Sequence, residues 1–557
     1  MELSTHQESV YSPEKLLKCI TQQQELITQQ KEKIVKFQAL VETLQAEIRR
    51  LKNLPAKPDI KPNTKPKDDE DKKDTDSDDD GNPQGSPEKR KIKKPDERTR
   101  KNRQKPDKPA VEKTITIEAA KVPPGSIRHD YASYSVQELR IQAFTIEYRL
   151  AQWKTPDGQV ITAKPPESLH GHHYGPLIQA YLLYQYHGCS VTQPQLLDWL
   201  HDVGIAMSSG ELHRLLTESH GDFHEEKDAL LAAGLKYSRY IQTDDTGARH
   251  KGQNGYCTII NNERFAWFES TRSKSRENFL SLLHRPWKTY EVTQNALDYL
   301  EKYDYPEKWL KVIRQYIGVT FLSREAWEAC LNEHDLTTKK RRQQAEEALI
   351  YSSLIAHGMG HLTTFSDGAQ QFNVLNHSQC WIHAERGLAK VHPVNDQQAN
   401  AQYWCRTWLW AIYSDLKSFK SSPDESKADK IRRDFQALVE TQVDFDDLTD
   451  ALSDLAVIEK ELLQVLDDPH LPLHNNLSES QIREYVKRRK ISGGTRSKAG
   501  RKCRDTFASL KKTCRLYGLS FWHYLTDRIM GSGDFPRLPD LIEQTSSDLP
   551  CGLTSSY

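Results

Sequence analysis

The chain lacks a CxxC pair and any close cysteine spacing: its nine cysteines are scattered from Cys19 to Cys551. A disulfide framework is therefore excluded, and reduced thiols in a cytoplasmic protein are expected. No apolar run approaches the roughly 18 residues of a membrane span, and the N-terminus has no hydrophobic segment, so neither a membrane helix nor a signal peptide is expected. Net charge is also missing, because 78 Lys and Arg balance 78 Asp and Glu, and total charge points to no partner. At 557 residues the chain is too long for one core and is expected to divide into several domains.

Charge is present locally. From Arg483 to Arg515 there are thirteen Lys or Arg against two acids, Glu484 and Asp505. Such a strip reads as a solvated helix face or as a polyanion contact, and the glycines and serines at 492–500 (SGGTRSKAG) favour a flexible phosphate-contacting loop. Ahead of it, residues 54–112 carry an acidic block and then a basic one, too polar to bury a core, and are expected to be a disordered linker. Before that, Ile20, Ile27, Ile34, Val41 and Ile48 recur every seven residues, with Leu16, Phe37, Leu44 and Leu51 in the second seam and Gln23 and Gln30 in its remaining sites. β-Branched residues at a with Leu at d predict a parallel coiled coil over 13–53 and hence a homo-oligomer.

Order is expected to resume in a small β-containing segment over 113–165, with a strand at 113–118 (KTITIE) and a hairpin around Pro156-Asp157-Gly158. Helices near 176–186 and 193–202, then one opened by a capping box of Ser208 and Glu211, suggest a helix-turn-helix-like domain over 166–225. Its last helix offers Glu211, His213 and Arg214 to a DNA groove, although plain helical packing is equally open. Downstream, three strands (the first ending at Asp244, then 256–260 and 265–270), a helix, a strand ending at Asp367, a short helix (AQQFNVL) and a strand at 378–383 follow the order of an RNase-H-like α/β fold. Helical insertions are expected at about 286–360 and 390–470, and residues 531–557 form a tail.

Asp244 and Asp367 end strand-like runs, and Glu479 opens a helix after Asn475 and Asn476. In that context three carboxylates suit two divalent cations about 4 Å apart on a phosphodiester. Asp245 rivals Asp244, since adjacent strand residues face opposite ways. Glu484 lies about 140° around the helix from Glu479 and cannot share its face. His383 reads as a structural residue beside the last strand. His357 and His361 have a zinc-like spacing, but the intervening glycines (HGMGH) argue against a helix. Trp404, Trp408 and Trp410 read as core.

Over roughly 174–524 the chain resembles the insertion-sequence 66 type of DDE transposase. The residues that carry the resemblance are Asp244-Asp245-Thr246, Asp367-Gly368, Cys380-Trp381 with His383-Ala384, Asn475-Asn476 with Glu479 and Arg483, and Gly493, Gly494, Arg496, Ser497 and Gly500. The resemblance implies a metal-dependent polynucleotidyl transferase holding two Mg²⁺ (or Mn²⁺) on Asp244, Asp367 and Glu479. Water would hydrolyse the 3′ phosphodiester at an element end, and the freed hydroxyl would attack target DNA. Arg483, Lys487, Arg488, Arg489, Arg496, Lys498 and Arg501 would grip the backbone. Further implications are DNA as partner, accessory proteins encoded beside the gene, and a cytoplasmic, nucleoid-associated location. A nuclease without strand transfer and an inactive DNA-binding regulator are the competing classes. The chain departs from the family in having no cysteine ribbon before the helical region, so no zinc is expected, and in Ser480 and Glu385 where arginine is usual.

Overall fold

The structure, a computed structural model, describes residues 111–117, 122–128, 130–166 and 173–547. The expected coiled coil, most of the linker and the last ten residues lie outside them. The chain divides into two compact units, Thr64–Gln142 and the remainder. In the first, every described residue is exposed and outside any helix or strand. The strand expected at 113–118 is therefore not found over 113–117, where Ile115 and Ile117 stand 70% and 85% exposed; a strand needs a partner to satisfy its backbone.

The second unit opens with the hairpin expected around Gly158: β1 (Gln152–Lys154) pairs antiparallel with β2 (Val160–Thr162). Four helices follow, α1 (Pro176–Leu183), α2 (Gln193–Asp202), α3 (Ser209–Thr217) and α4 (Gly221–Lys236). Proline sits in the first turn of α1, and Thr192 with Gln195 closes a capping box on α2. Ser208 caps α3 by accepting from the Glu211 amide, but the Glu211 carboxylate pairs with Arg214.

Strands β3 (Tyr240–Gly247), β4 (Tyr256–Asn261) and β5 (Ala266–Thr271) then form an antiparallel meander. After α5 (Arg276–His284) comes a first insertion, with β6 (Tyr290–Glu291), α6 (Gln294–Lys302), α7 (Glu307–Arg314), β7 (Thr320–Phe321), α8 (Arg324–Glu333) and α9 (Lys339–Ala356). It has its own core around Leu297, Trp327 and Leu349, and a two-stranded β6–β7 ladder that an all-helical reading omits. Strands β8 (Thr363–Ser366) and β9 (Asn376–Gln379) complete a mixed sheet of order β5-β4-β3-β8-β9, with β3, β8 and β9 parallel. The expected short helix between them is a single 3₁₀ turn, Gln370–Phe372. The last strand is shorter than expected, because Trp381 and His383 belong to α10 (Trp381–Lys390).

A second insertion, α11 (Asp396–Ser421), α12 (Glu425–Val439), α13 (Asp446–Val457) and α14 (Glu459–Leu463), packs around Leu409, Phe435 and Leu452. The chain returns through α15 (Asn476–Ser492), α16 (Lys498–Leu516), α17 (Phe521–Met530) and α18 (Leu538–Ser547). Residues 538–547 are thus a docked helix rather than a tail: Leu538 and Ile542 are buried, and the Leu538 amide donates to Glu226. The helices at 176–236 are not a separate body either. Leu182, Leu212 and Leu230 share one core with Trp267, Phe507 and Tyr524.

Helix α16 seals the free edge of the sheet. Thr513 Oγ1, Ser509 Oγ and Asp505 Oδ2 accept from the amides of Ala266, Phe268 and Ser270, at 3.2, 2.9 and 2.8 Å. Four residues of helix rise about 6 Å and two residues of strand about 6.8 Å, so an i, i+4 polar row matches alternate strand amides. An edge open to pairing with another chain is thereby closed.

Candidate functional site

Register brings the two aspartates together. Gln242 on β3 pairs with Phe365 on β8, and continuing that parallel register by two residues sets Asp244 opposite Asp367, the first residue beyond β8. Gly368 turns the chain there with φ +99°, and a Cβ at that position would meet Gln379 Oε1 at 2.8 Å. Asp367 Oδ1 accepts from the Ala369 amide at 3.1 Å, closing a local turn.

Glu479 reaches the same place from α15. Asn475 does not cap the helix with its side chain; its Nδ2 donates to Thr243 O at 3.2 Å, beside Asp244. Ser478 Oγ donates to Asn261 Oδ1 at 2.6 Å, and the Asn475 amide donates to Cys380 Sγ at 3.3 Å. Because these anchors are buried, the first turn of α15 is fastened across β3, β4 and the start of α10. Polar residues inside strands and Asn475 just before the helix were the available signals; pattern alone does not say which strand they bind.

Burial raises the Asp244 carboxyl to about 7, aided by the neighbouring Asp367, Asp245 and Glu479 charges and opposed by the Asp245 amide, which donates to Asp244 Oδ1 at 2.7 Å. Glu479 has a side chain 12% exposed, with His383 Nε2 at 3.7 Å and Arg483 at 3.8 Å. Its Oε2 is buried without a hydrogen-bond partner. His383 is held below its ordinary pKa, first by burial and then by Arg386, whose Nη1 donates to His383 Nε2 at 2.7 Å. His383 thus stands on a helix beside Glu479, not merely beside a strand.

The rivals are otherwise engaged. Asp245 accepts from Thr258 Oγ1 at 2.5 Å and Gln371 Nε2 at 3.1 Å, using both oxygens. Glu484 is surrounded by Lys511, Lys512 and Arg515, which hold its carboxyl down to about 2 against the opposing effect of burial. Glu385, at one of the positions where the family usually has arginine, is buried and accepts from Arg406 at 2.6 Å.

The basic strip sorts by facing. Arg483, Lys487, Arg496 and Lys498 are exposed and Arg501 is half-buried. Arg488 departs from its expected place on the DNA grip: it is buried, donates to Tyr186 O and lies 4.2 Å from the Tyr186 ring centre. Arg489 donates to Gly247 O and to Thr246 Oγ1, bracing the end of β3. The glycine stretch is not free, since the Thr495 amide donates to Arg249 O at 2.9 Å. On α3, Arg214 is exposed and His213 Nδ1 lies 3.3 Å from Gln193 Nε2. Trp404, expected in the core, is 39% exposed, whereas Trp408 and Trp410 pack against the second insertion. His357 stacks on Trp287 at 4.8 Å, and His361 Nδ1 lies 2.8 Å from Gly358 O.

Among the described residues no group of three or more His, Cys, Asp and Glu side chains is gathered to hold a metal ion. No helix there is long and apolar enough to cross a membrane, and the seven described cysteines are free thiols.

The sequence model of the Transposase IS66 family matches residues 337–503. "Uncharacterized protein y4jO" of Sinorhizobium fredii (strain NBRC 101917 / NGR234) is 39% identical over 303 residues, which cover 54% of this chain and 94% of that protein. The chain belongs to the IS66 transposase family. The stretch matched by the family carries Asp367, His383 and Glu479, while Asp244 precedes it.

Proposed function

We propose that this IS66 family transposase cleaves and rejoins DNA through an RNase-H-like site whose acids are Asp244, Asp367 and Glu479. The observation that carries the reading is a group of buried carboxylates with few donors: an Asp244 carboxyl raised to about 7 by burial and by Asp367, and a Glu479 Oε2 that makes no hydrogen bond and has Arg483 at 3.8 Å. Three hard oxygen donors fit Mg²⁺ or Mn²⁺ better than zinc. Divalent cations on these three acids would supply charge stabilisation for in-line displacement at phosphorus.

The rest of the chemistry falls to the chain itself. Asn475 and Ser478 fix Glu479 against the strands, Arg489 braces the end of β3, and His383 with Arg386 sets the polarity beside Glu479. Arg483, Lys487, Arg496, Lys498 and Arg501 hold the DNA backbone, His213 and Arg214 on α3 meet a groove, and the N-terminal heptads join copies of the chain. Accessory proteins encoded by the same element remain part of the proposal.

Labelled element-end duplex incubated in Mg²⁺ or Mn²⁺ tests it, comparing wild type with Asp244→Asn, Asp367→Asn and Glu479→Gln. Products lost in all three with DNA binding kept support the triad, and weakened Mn²⁺ binding by the same variants gives a readout independent of turnover. Activity surviving any one substitution removes that residue.

A further inference from the structure

Beyond the end of β3 the chain makes a two-residue turn at Lys251-Gly252, with His250 and Gln253 exchanging backbone hydrogen bonds at 3.0 Å in both directions. Both turn residues have positive φ, 51° at Lys251 and 76° at Gly252, the signature of a tight hairpin turn that favours Asn or Gly at its first position. A lysine held there costs of order 1 kcal/mol and is kept by its surroundings.

Those surroundings are the glycine loop between α15 and α16. The Lys251 amide donates to Thr495 O at 2.8 Å, the Thr495 amide donates to Arg249 O at 2.9 Å, and His250 Nδ1 lies 2.8 Å from Thr495 Oγ1. His250 and Thr495 form a parallel bridge, and a Cβ on Gly494 would meet Arg249 O at 2.5 Å. Two segments more than 240 residues apart are therefore zipped into one rigid surface. Its charge is of one sign. Arg249, Lys251, Arg272 and Arg496 are exposed, and His250 is held below its ordinary pKa first by desolvation and then by Arg501, Lys251 and Arg272. Arg272 follows β5, whose Thr271 pairs with Tyr256 next to the turn.

We propose that this zipped platform grips the DNA flank leading away from the carboxylates, with Arg249, Lys251 and Arg272 on backbone phosphates. The inference rests on the transposase reading of the same site. At about 3.3 Å per strand residue, Gly247 to Lys251 lie at most about 10–23 Å from Asp244. At 3.4 Å per base pair, that is at most about seven base pairs from the cleaved phosphate.

The test uses the full chain, a labelled duplex of about 40 base pairs and salt raised from about 50 to about 200 mM. The variant R249A/K251A/R272A lowers the slope of log affinity against log salt by about 2–3. Gly494→Val, which keeps every charge but forces the two segments apart, lowers the slope in the same direction by a smaller amount. In ethylation interference on element-end DNA, contacts within about seven base pairs of the cleaved phosphate disappear in the triple variant. Lys251→Glu alone, at an exposed turn, provides the same comparison should the triple variant fold poorly. An unchanged slope in these variants, with a reduced slope on removing Lys487 and Lys498, overturns the platform and leaves the transposase reading standing. Wild-type protein that binds no duplex in a salt-dependent way overturns both.

Discussion

Two sets of half-buried or buried acids divide the larger unit. At the sealed edge and the helical side of the sheet, each acid is matched. Glu226 accepts from Arg528, Tyr524 and the Leu538 amide, Glu484 meets Lys511, Lys512 and Arg515, and Asp505 accepts from Ser270 and Tyr485. On β3 and just beyond β8, Asp244 and Asp367 each accept, among the described residues, only from an amide within two residues, and Glu479 keeps a buried oxygen without a hydrogen bond, 3.8 Å from Arg483. The first set is held by ion pairs or, at Asp505, by hydroxyl and amide donors, whereas the second has few donors of its own.

The difference can be broken from either side. The largest effect is expected at the unmatched set: Asp244→Asn, Asp367→Asn or Glu479→Gln should cost about 10³-fold or more in cleavage rate, several kcal/mol of transition-state stabilisation. Thermal melting of the same variants should stay level or rise, because a neutral isostere removes like-charge repulsion; a lower melting temperature would place these acids in the structural set. Next is Glu226→Gln, which removes one of the two carboxylates paired with Arg528, Asp527 remaining, and should cost about 1.5–3 kcal/mol in denaturant unfolding.

Glu484 gives the third test, by pH. Its folded pKa lies below its ordinary 4.5, at about 2, so its stabilisation is full above about 4.5 and is lost as pH falls through about 2. The loss is at most about 3 kcal/mol, and Glu484→Gln should flatten stability against pH in that window. Smallest is Lys487→Ala, an exposed cation expected to change stability by under about 0.5 kcal/mol while lowering the salt slope of DNA binding by about 0.9. Arg488→Ala should do the reverse, destabilising the fold and leaving the slope alone.

How much of this was legible in the sequence follows the range of each interaction. The strand end before Asp367, the hairpin at Gly158, the Ser208 cap and the helix opening before Glu479 are local patterns found at or within a residue of where the pattern puts them, whereas β3 runs three residues past Asp244 to Gly247 and Asn475 does not cap. Asp245 against Asp244 stayed open because two adjacent carboxylates look alike until Thr258 and Gln371 claim one of them. Arg488 misled because a helix with cations all around does not announce which one turns inward to Tyr186. The helices over 166–225 read as a domain of their own because their apolar faces are complete as patterns. Only α16 and α17, some three hundred residues later, show that those faces are half of a shared core.

The sequence by itself determined the types of most elements, the candidate acids and the family resemblance, since periodicity, turn chemistry and motif spacing are properties of contiguous chain. The tertiary structure alone decided which acids are matched and which are left open, that a serine, a threonine and an aspartate on one helix close the sheet edge, and that a glycine loop is zipped to a distant turn. Those outcomes depend on strand order and register, and on contacts between residues hundreds of positions apart, which no local pattern encodes.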